Sequence, residues 1–369
     1  MPLRQGEPLR VLQILHTDER GGILTLATAL ERGLPAFGIR VDTELLFPRP
    51  GLGAVAKARA AAAMAARLVR DDHDAVVAYQ ATASILVGIF AGRRGGQRIV
   101  HQTAIPGATA RPLRIADKLV GTAGRYDANI ANTVFTRDEF RTYPARYRRS
   151  LILIEHGVEP PQPGSDRPTT RRRFGLPAEA PVVLTVGRPT PQKNQGVLID
   201  ALARIGDAVL AIAGAGSDET ALRATAEALG VGARVRFLGA LAPADVADLY
   251  GACDLFAFPS VWETFGLAAV EAAMVGIPMV VSDLSVLREV LGQPEAPVVH
   301  LPPFDVAAWA EAIRTGLAAP PPRAARDAFA VALRRRYSPV DMIRRYVALL
   351  RTGRAERAAG PAIELETML

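Results

Sequence analysis

The sequence predicts an α/β protein of two doubly wound parallel-sheet domains. Short apolar runs rich in β-branched residues alternate with helix-length segments along the chain, which is typical of parallel strands joined by helices. The alternation breaks once, at 156–168, where four prolines and two glycines fall within thirteen residues. Such a composition suits a linker and not the interior of a helix or strand. The length of 369 residues, with 49% apolar and 22% charged, allows two or three domains that each bury a core.

The first domain is expected to span residues 1–165. Its first strand is followed by Gly21 and Gly22, after which apolar residues at helical spacing predict a helix. Five further strands are expected before the linker. The predicted strands are 12–15, 42–47, 75–78, 98–101, 128–131 and 151–154.

The second domain is expected to span 166–338, and a last helical segment, about 339–369, is a candidate to pack back on the first domain. Its predicted strands are 181–187, 209–213, 235–238, 255–258, 279–281 and 298–300. Two such domains would face one another across a cleft at the carboxyl ends of their strands. Open parallel sheets bind ligands at that edge.

Cysteine and histidine content excludes several classes of site. The single cysteine, Cys253, lies in an apolar stretch and is interpreted as inert core packing, which leaves no disulfide framework or cysteine-built metal site. The five histidines are scattered, without the spacing of a catalytic zinc site.

The chain shows no convincing membrane span. Its amino terminus is too polar to open a secretory signal. The longest uncharged run, 75–92, has 18 residues but contains polar side chains, so a buried strand, turn and helix is the better interpretation. We therefore expect a cytoplasmic protein.

The net charge of +7 belongs entirely to the first half. Residues 1–165 have 22 Lys and Arg against 15 Asp and Glu, whereas 166–369 have 22 of each. This asymmetry suggests an anionic partner: a phospholipid surface at the inner face of a membrane, a phosphorylated acceptor or nucleic acid. An arginine-rich composition without a partner is the alternative. Nucleic acid is disfavoured because no recognisable nucleic-acid-binding module appears in the sequence, and 57–70 is a candidate basic helix for a membrane.

The most informative stretch is 260–278. Glu271 is the only ionisable residue between Thr264 and Val281, in a helix that is apolar on every side. A buried carboxylate is costly unless it is hydrogen-bonded. Glu271 is therefore expected to accept bonds from two ligand hydroxyls, such as those of a ribose, and a protonated or capped structural glutamate is the alternative.

Glu263 precedes the same helix. The backbone N–H groups of 264–267 are expected in its first turn, where they would favour an anion. A helix start flanked by two glutamates would repel a bare phosphate, so a cation must complete the site. Arg188 and Lys193, which follow the second domain's first strand, are the candidates, because arginine grips phosphate oxygens in a fork and lysine supplies a mobile charge. A solvated loop with two surface cations is the alternative.

These motifs resemble the retaining nucleotide-sugar glycosyltransferases of family 4, also called glycosyl transferases group 1, which have the GT-B fold of two Rossmann-like domains. The resemblance covers nearly the whole second half, through the Arg188 and Lys193 pair and the spacing from Glu263 to Glu271. The turns Gly214-Ala-Gly216 and Gly239-Ala-Leu241 agree in order. In the first half it extends only to Gly21-Gly22 and to His101.

The resemblance implies a hexosyltransferase that moves a sugar from a nucleoside-diphosphate-sugar to an acceptor hydroxyl on a glycan, a lipid-linked molecule or a small molecule. The first domain would bind the acceptor and the second the donor. Arg188 and Lys193 would hold the pyrophosphate, Glu263 the donor sugar and Glu271 the ribose. The remaining implied donor-binding residues are Gly21, Gly22, Gly187, Gly214, Gly239, Leu241, Phe265, Gly266 and Leu267.

His101 would contact the donor sugar, with core or loop packing as the alternative. Gln102 follows it where many relatives carry an acid, so a general base from this loop is not expected. The departing phosphate oxygen is the hypothetical proton acceptor, on the same face of the sugar. His16, Asp18 and Glu19 lie where acceptor contacts would be, or they form a solvated loop.

No cofactor beyond the nucleotide-sugar and no metal are expected, because the two cations would neutralise the diphosphate. Two other functions stay open. A nucleotide-sugar epimerase shares this architecture, and an inactive binding protein could keep the fold.

Overall fold

A computed structural model describes residues 8–17, 21–49, 51–92, 96–292 and 296–353. The chain divides into two units. Unit 1 comprises residues up to 157 together with those from 337, and unit 2 comprises 158–336.

Unit 1 contains one six-stranded sheet in the order β2-β1-β3-β4-β5-β6, and its described strand pairs are all parallel. The strands are β1 (Leu9–Leu15), β2 (Ile39–Leu45), β3 (Ala75–Tyr79), β4 (Gln97–His101), β5 (Ala128–Ala131) and β6 (Leu151–Leu153). The helices are α1 (Gly22–Gly33), α2 (Ala54–Val69), α3 (Ala81–Phe90), α4 (Arg111–Thr122), α5 (Val134–Asp138), α6 (Ala145–Arg148) and α15 (Pro339–Thr352), with single 3₁₀ turns at Leu34–Phe37 and Pro106–Ala108.

Strand β2 begins and ends earlier than the predicted 42–47. Gly38 adopts a left-handed conformation and starts the strand at Ile39. Leu46 and Phe47 lie beyond its end, although their N–H groups still donate to the carbonyls of Leu15 and His16. The uncharged run 75–92 folds as β3 followed by α3, as predicted. Across the described residues, none of the helices combines the length and the hydropathy that a membrane crossing needs.

Helix α15 lies in the core of unit 1. Ile343, Tyr346 and Leu350 are buried there. Ile343 packs so closely on α1 that a Cβ atom at Gly33 would come within 2.8 Å of it. The Gln97 amide donates to the Leu350 carbonyl at 2.8 Å. The helix therefore completes a layer of the first sheet, although unit 2 precedes it in sequence.

Unit 2 repeats the architecture, with the strand order β12-β11-β10-β7-β8-β9 and parallel pairing. The strands are β7 (Val182–Val186), β8 (Val209–Ala213), β9 (Val235–Gly239), β10 (Leu255–Phe258), β11 (Met279–Ser282) and β12 (Val298–Leu301). The helices are α7 (Arg167–Arg173), α8 (Gly196–Leu202), α9 (Glu219–Ala228), α10 (Pro243–Ala252), α11 (Leu267–Val275), α12 (Ser285–Leu291), α13 (Val306–Ala318) and α14 (Arg323–Arg336), with a 3₁₀ turn at Gly232–Arg234. The predicted fold class, two doubly wound parallel sheets, is confirmed.

The division between the units falls at 157/158, eight residues before the expected boundary. The N–H groups of Gly164 and Ser165 donate to Asp248 of α10 at 2.7 and 3.0 Å. Arg171, itself 1% exposed, pairs with Asp254 at 2.6 Å. These bonds fix the end of the proline-rich stretch to unit 2. Cys253 beside them is buried, which raises the pKa of its thiol to about 12 and suits a packing role.

Tyr346 of α15 should contribute strongly to the stability of unit 1, because it is 1% exposed and its hydroxyl lies 3.0 Å from His101 Nε2. Tyr346→Ala is expected to cost about 3–5 kcal/mol through the cavity that it leaves. Tyr346→Phe, which keeps the ring, should cost about 1 kcal/mol. Hydrogen exchange of the β3 and β4 amides measures both. Equal effects of the two substitutions would contradict the packing role.

Candidate functional site

Two loops of unit 2 are tied together at one edge of its sheet. Because β7 and β10 are parallel neighbours, the loop 187–194 and the loop 259–266 leave at the same carboxyl edge. The Val261 N–H donates to the Gln192 carbonyl at 2.8 Å, and the Gln192 amide donates to the Trp262 carbonyl at 3.0 Å. Asn194, in the left-handed region with φ 51°, donates to the Pro259 carbonyl at 3.2 Å. The first loop is thus fixed to the second on both sides of Lys193.

Lys193 and Glu263 form an ion pair across the two loops. The Lys193 ammonium donates to Glu263 Oε1 at 2.5 Å and lies 4.9 Å from the centre of the Phe258 ring. The Glu263 side chain is only 9% exposed and that of Lys193 21%. Water screens a partly buried pair less than a surface pair, so removing one partner would leave a costly unpaired charge. The structure thus brings together two of the residues predicted for the site.

Arg188 lies on the same loop and its side chain is exposed. The Gln195 amide donates to the carbonyl of Gly187 at 3.2 Å and so holds the start of the loop against α8. The exposed guanidinium and the partly buried ammonium of Lys193 therefore lie on one short loop at the carboxyl end of β7.

The glycines after β7, β8 and β9 allow these strand ends to pack tightly. The Gly214 N–H donates to the Gly239 carbonyl at 2.8 Å, and the Gly187 N–H to the Ala213 carbonyl at 2.9 Å. A Cβ atom at Gly214, with φ 143°, would lie 2.3 Å from the Gly187 carbonyl oxygen, and one at Gly216 2.2 Å from that of Pro189. Backbone packing alone therefore requires glycine at 214 and 216. Leu241 is partly buried two residues beyond β9.

Helix α11 begins later than predicted. Gly266 precedes it in the left-handed conformation (φ 87°, ψ 50°), and Leu267, which is partly buried, is the first helical residue. The expectation that the N–H groups of Thr264 and Phe265 belong to the first turn is therefore wrong. Phe265 is 2% exposed and anchors the preceding loop, and a Cβ atom at Gly266 would come within 2.7 Å of Leu287.

Glu271 lies in the second turn of α11 beside buried aliphatic residues. The Tyr250 hydroxyl, from α10, donates to Glu271 Oε2 at 3.1 Å and also lies 3.2 Å from the Ala268 carbonyl oxygen. Burial raises the pKa of Glu271 to about 7, and the bond from Tyr250 opposes that rise. This carboxyl group therefore changes its protonation near neutral pH, unlike an ordinary glutamate.

Tyr250 was not among the site residues predicted from the sequence. It is 2% exposed within an apolar helix, and buried tyrosine hydroxyls usually have a polar partner. That chemistry was a usable signal, but the partner lies 21 residues away in sequence. Pairing α10 with α11 required the tertiary structure.

In unit 1, Gly21 and Gly22 are exposed at the start of α1, the first helix after β1. A Cβ atom at Gly21 would meet no heavy atom of the described residues within 4 Å, so their packing does not explain the glycine. His16 packs edge-on against Phe47, with ring centres 4.6 Å apart. Asp18 and Glu19, predicted near the acceptor, lie outside the described residues.

The contacts of His101 are those of core packing, the alternative to contact with the donor sugar. It is 5% exposed and stacks on Tyr79 at 4.7 Å and Tyr346 at 5.8 Å between ring centres. Burial, and secondarily the nearby His156, lower the pKa of His101 to about 3, which keeps the ring neutral. The Gln102 amide donates to Asn129 Oδ1 at 3.0 Å and to the Tyr147 hydroxyl at 2.9 Å. The described structure brings neither side chain together with Gly21 and Gly22.

Two aspartates and a histidine that could hold a metal ion lie elsewhere in unit 1, at Asp71, Asp72 and His73. They precede β3, at the sheet edge opposite the loops that follow the strands. Asp72 belongs to an Asp-x-Asp triplet with Asp74. Arg10 pairs with Asp72 at 3.2 Å and donates its backbone N–H to Asp74 at 2.8 Å, so these carboxylates secure the start of the strand.

Comparison with known proteins places unit 2 in a family. Residues 166–330 match the family model described as glycosyl transferases group 1. The D-inositol 3-phosphate glycosyltransferase of Corynebacterium glutamicum is 36% identical over 183 residues, 46% of this chain and 43% of the relative. The protein of the same name from Xylanimonas cellulosilytica is 32% identical over 256 residues, 65% of this chain and 60% of the relative. The chain spans about half the length of the curated relatives it matches.

Solved structures show the same fold. A sucrose-phosphate synthase from Thermosynechococcus elongatus has a TM-score of 0.77 at 20% identity, covering 93% of this chain and 98% of that one. The Anabaena protein HepE, in complex with UDP and glucose, has a TM-score of 0.79 at 21% identity, covering 93% and 99%. WaaG, a glycosyltransferase involved in lipopolysaccharide biosynthesis, reaches 0.69 at 18% identity, covering 93% and 100%. The chain therefore has the GT-B fold, and its residues 166–330 match the family model of the group 1 glycosyltransferases.

Proposed function

We propose that the protein is a retaining hexosyltransferase. It transfers a sugar from a nucleoside-diphosphate-sugar to an acceptor hydroxyl without a metal ion. The observation that carries this proposal is the juxtaposition of Arg188, Lys193 and Glu263 on two joined loops at the carboxyl edge of the unit 2 sheet. The family match and the named activities of the relatives support it.

The donor diphosphate binds at the loop 187–194. Arg188 is exposed and can donate two parallel hydrogen bonds to phosphate oxygens. Lys193 supplies a point charge from a fixed loop. Because Lys193 is paired with Glu263, the diphosphate shares or takes over its ammonium group. Glu263 then turns its oxygens to the hydroxyls of the donor sugar. The two cations stabilise the charge that develops on the leaving nucleoside diphosphate.

The ribose binds at Glu271. Two neighbouring hydroxyls can donate to the two carboxylate oxygens, of which Oε2 already accepts a bond from Tyr250. Only the ionised carboxylate accepts both ribose bonds, so binding lowers the pKa of Glu271 from its raised value.

Transfer proceeds with retention through the leaving group. The acceptor oxygen forms a bond to the anomeric carbon as the bond from that carbon to the phosphate oxygen breaks. The acceptor's proton passes to that phosphate oxygen on the same face. A base from the first unit is not invoked, because Gln102 has no basic group and His101 is buried between two tyrosines.

Unit 1 binds the acceptor, as the resemblance implies. Gly21, at the start of α1, has no packing reason for glycine among the described residues. The named activity of the relatives makes inositol 3-phosphate the first acceptor to test.

The test combines donor screening with a transfer assay. Thermal shift with UDP, GDP, ADP and TDP identifies the base, since a ligand of the folded state stabilises by mass action. The matching glucose and N-acetylglucosamine nucleotides are then incubated with and without inositol 3-phosphate and other acceptors. Product whose anomeric coupling matches the donor supports retention. Donor isomerisation without acceptor would show an epimerase, and binding without any turnover would show a binding protein.

Lys193→Met and Glu263→Gln should each reduce transfer by about 100-fold or more, because they remove charges placed at the reacting diphosphate and sugar. Lys193→Met should also abolish the thermal shift caused by the nucleoside diphosphate. Lys57→Met, an exposed lysine on α2 in unit 1, is the matched control and should leave both unchanged. Full transfer in either site variant would remove the residue from the site.

Glu271 should make the stability of unit 2 depend on pH. Its raised pKa means that the folded chain keeps a proton that the unfolded chain releases between about pH 4.5 and 7. The stability of wild type relative to Glu271→Gln should therefore fall as the pH rises through that window. Nucleoside diphosphate binding should strengthen over the same window in wild type only. Hydrogen exchange of β7 and β10 amides and titration calorimetry measure the two effects.

Tyr250→Phe separates the two roles of this carboxyl group. Losing the donated hydrogen bond should raise the pKa of Glu271 further, so half-maximal nucleotide binding should move to higher pH while saturating binding is retained. A uniform loss of binding at every pH would instead indicate that Tyr250 only packs.

A further inference from the structure

Helix α4 (Arg111–Thr122) of unit 1 turns two large aliphatic side chains away from the core. Its buried residues are Asp117 and Gly121. Ile115 and Leu119, one turn apart on its outer side, are 50% and 65% exposed. A helix that covers a sheet normally places its apolar stripe inward. In α4, by contrast, Asp117 faces inward, and two of the four large aliphatic side chains, Ile115 and Leu119, face outward.

The outward orientation of Ile115 and Leu119 follows from the packing of Asp117 and Gly121. Asp117 accepts hydrogen bonds from the hydroxyls of Tyr126 at 2.9 Å and Tyr147 at 2.6 Å. Gly121 lets the Tyr147 ring approach so closely that a Cβ atom there would lie 2.4 Å from it. A carboxyl group that is hydrogen-bonded inside the unit thus fixes the rotation of α4. Ile115 and Leu119 are held outward as a consequence.

The neighbouring helix extends the apolar surface. Helix α3 contacts α4 where Gly88 meets Val120, and its next residue, Ile89, is 43% exposed. Single exposed aliphatic residues are common on soluble proteins, whereas Ile89, Ile115 and Leu119 lie on two helices that contact each other. We call the surface of Ile89, Ile115 and Leu119 the α3/α4 face.

Positive charge surrounds this face. Between positions 111 and 126 there are four basic residues, and the only acidic one is the inward-facing Asp117. Arg111 and Lys118 lie four and three positions from Ile115, so they flank it on the helix surface. The segment 141–149 adds four arginines and no acid. One of them, Arg146, lies beside Gly124, just beyond the end of α4.

We propose that the α3/α4 face docks unit 1 on an anionic membrane surface. Ile115 and Leu119 enter the boundary between headgroups and acyl chains, and Arg111 and Lys118 reach lipid phosphates. Protein interfaces rely mainly on aromatic and arginine anchors in pockets. The exposed large apolar side chains of unit 1 that the structure describes are all aliphatic: Val55, Ile89, Ile115, Leu119 and Val134.

The basic helix predicted within 57–70 is less suited to membrane binding. In α2 the large apolar residues Met64 and Leu68 are buried against the unit, and Val55 is the one exposed large aliphatic residue. The proposal rests on unit 1 alone and is independent of the catalytic function proposed for unit 2.

The test is flotation of the full chain with phosphatidylglycerol–phosphatidylcholine vesicles and with pure phosphatidylcholine vesicles, at about 0.05 M and about 0.5 M salt. Wild type should float with the anionic vesicles at low salt and be released at high salt. Ile115→Gln with Leu119→Gln should weaken binding roughly tenfold or more, since two buried aliphatic chains are lost. Arg111→Gln with Lys118→Gln should weaken it and reduce its salt dependence.

Leu229→Gln with Val331→Gln replaces two exposed aliphatic residues of unit 2, 43% and 45% exposed, and is the matched control that should bind like wild type. Arg111, Ile115 and Leu119 face outward, and Lys118 Nζ lies 4.9 Å from the centre of the Tyr143 ring, so the α4 variants should lower the melting temperature little. Wild type that ignores anionic vesicles, or an Ile115/Leu119 variant that binds them normally, overturns the proposal. So does a dimer of the chain that only this variant abolishes, because the face would then be a self-association surface.

Discussion

The candidate site depends on the bonding of two loops that leave neighbouring parallel strands. Gln192 and Asn194 bind backbone atoms of the loop 259–266, and Lys193 between them reaches Glu263. The position of the ammonium group is thus set by backbone geometry more than by a flexible side chain. Because Glu263 is almost fully buried, the ion pair fixes both charges until a stronger anion competes for the lysine.

The two glutamates of this edge are electrostatically different, which resolves the problem of placing an anion beside them. Glu263 is neutralised by a cation. Glu271 is set apart by burial, which raises its pKa to about 7, and by one hydroxyl donor, Tyr250. The site therefore carries less negative charge than its composition suggests. Under the proposed function, the affinity of the site for a nucleotide is coupled to the protonation of Glu271.

Local patterns were sufficient for the fold and for part of the site. Apolar runs located the strands, and β8 and β10 match their predicted bounds at both ends. The sequence also predicted that Lys193 lies in the same site as Glu263, and the structure pairs the two side chains. What depends on distant contacts could not be predicted: Tyr250 as the partner of Glu271, the left-handed Gly266 that delays α11, and the burial of His101 under Tyr346, which lies 245 residues later.

The most direct measurement is a crystal structure of the chain with UDP or the nucleoside diphosphate that binds best. We predict a phosphate oxygen within about 3 Å of Lys193 Nζ and the ribose hydroxyls at a similar distance from the Glu271 carboxylate. A diphosphate bound away from the loop 187–194, with Lys193 still on Glu263, would contradict it.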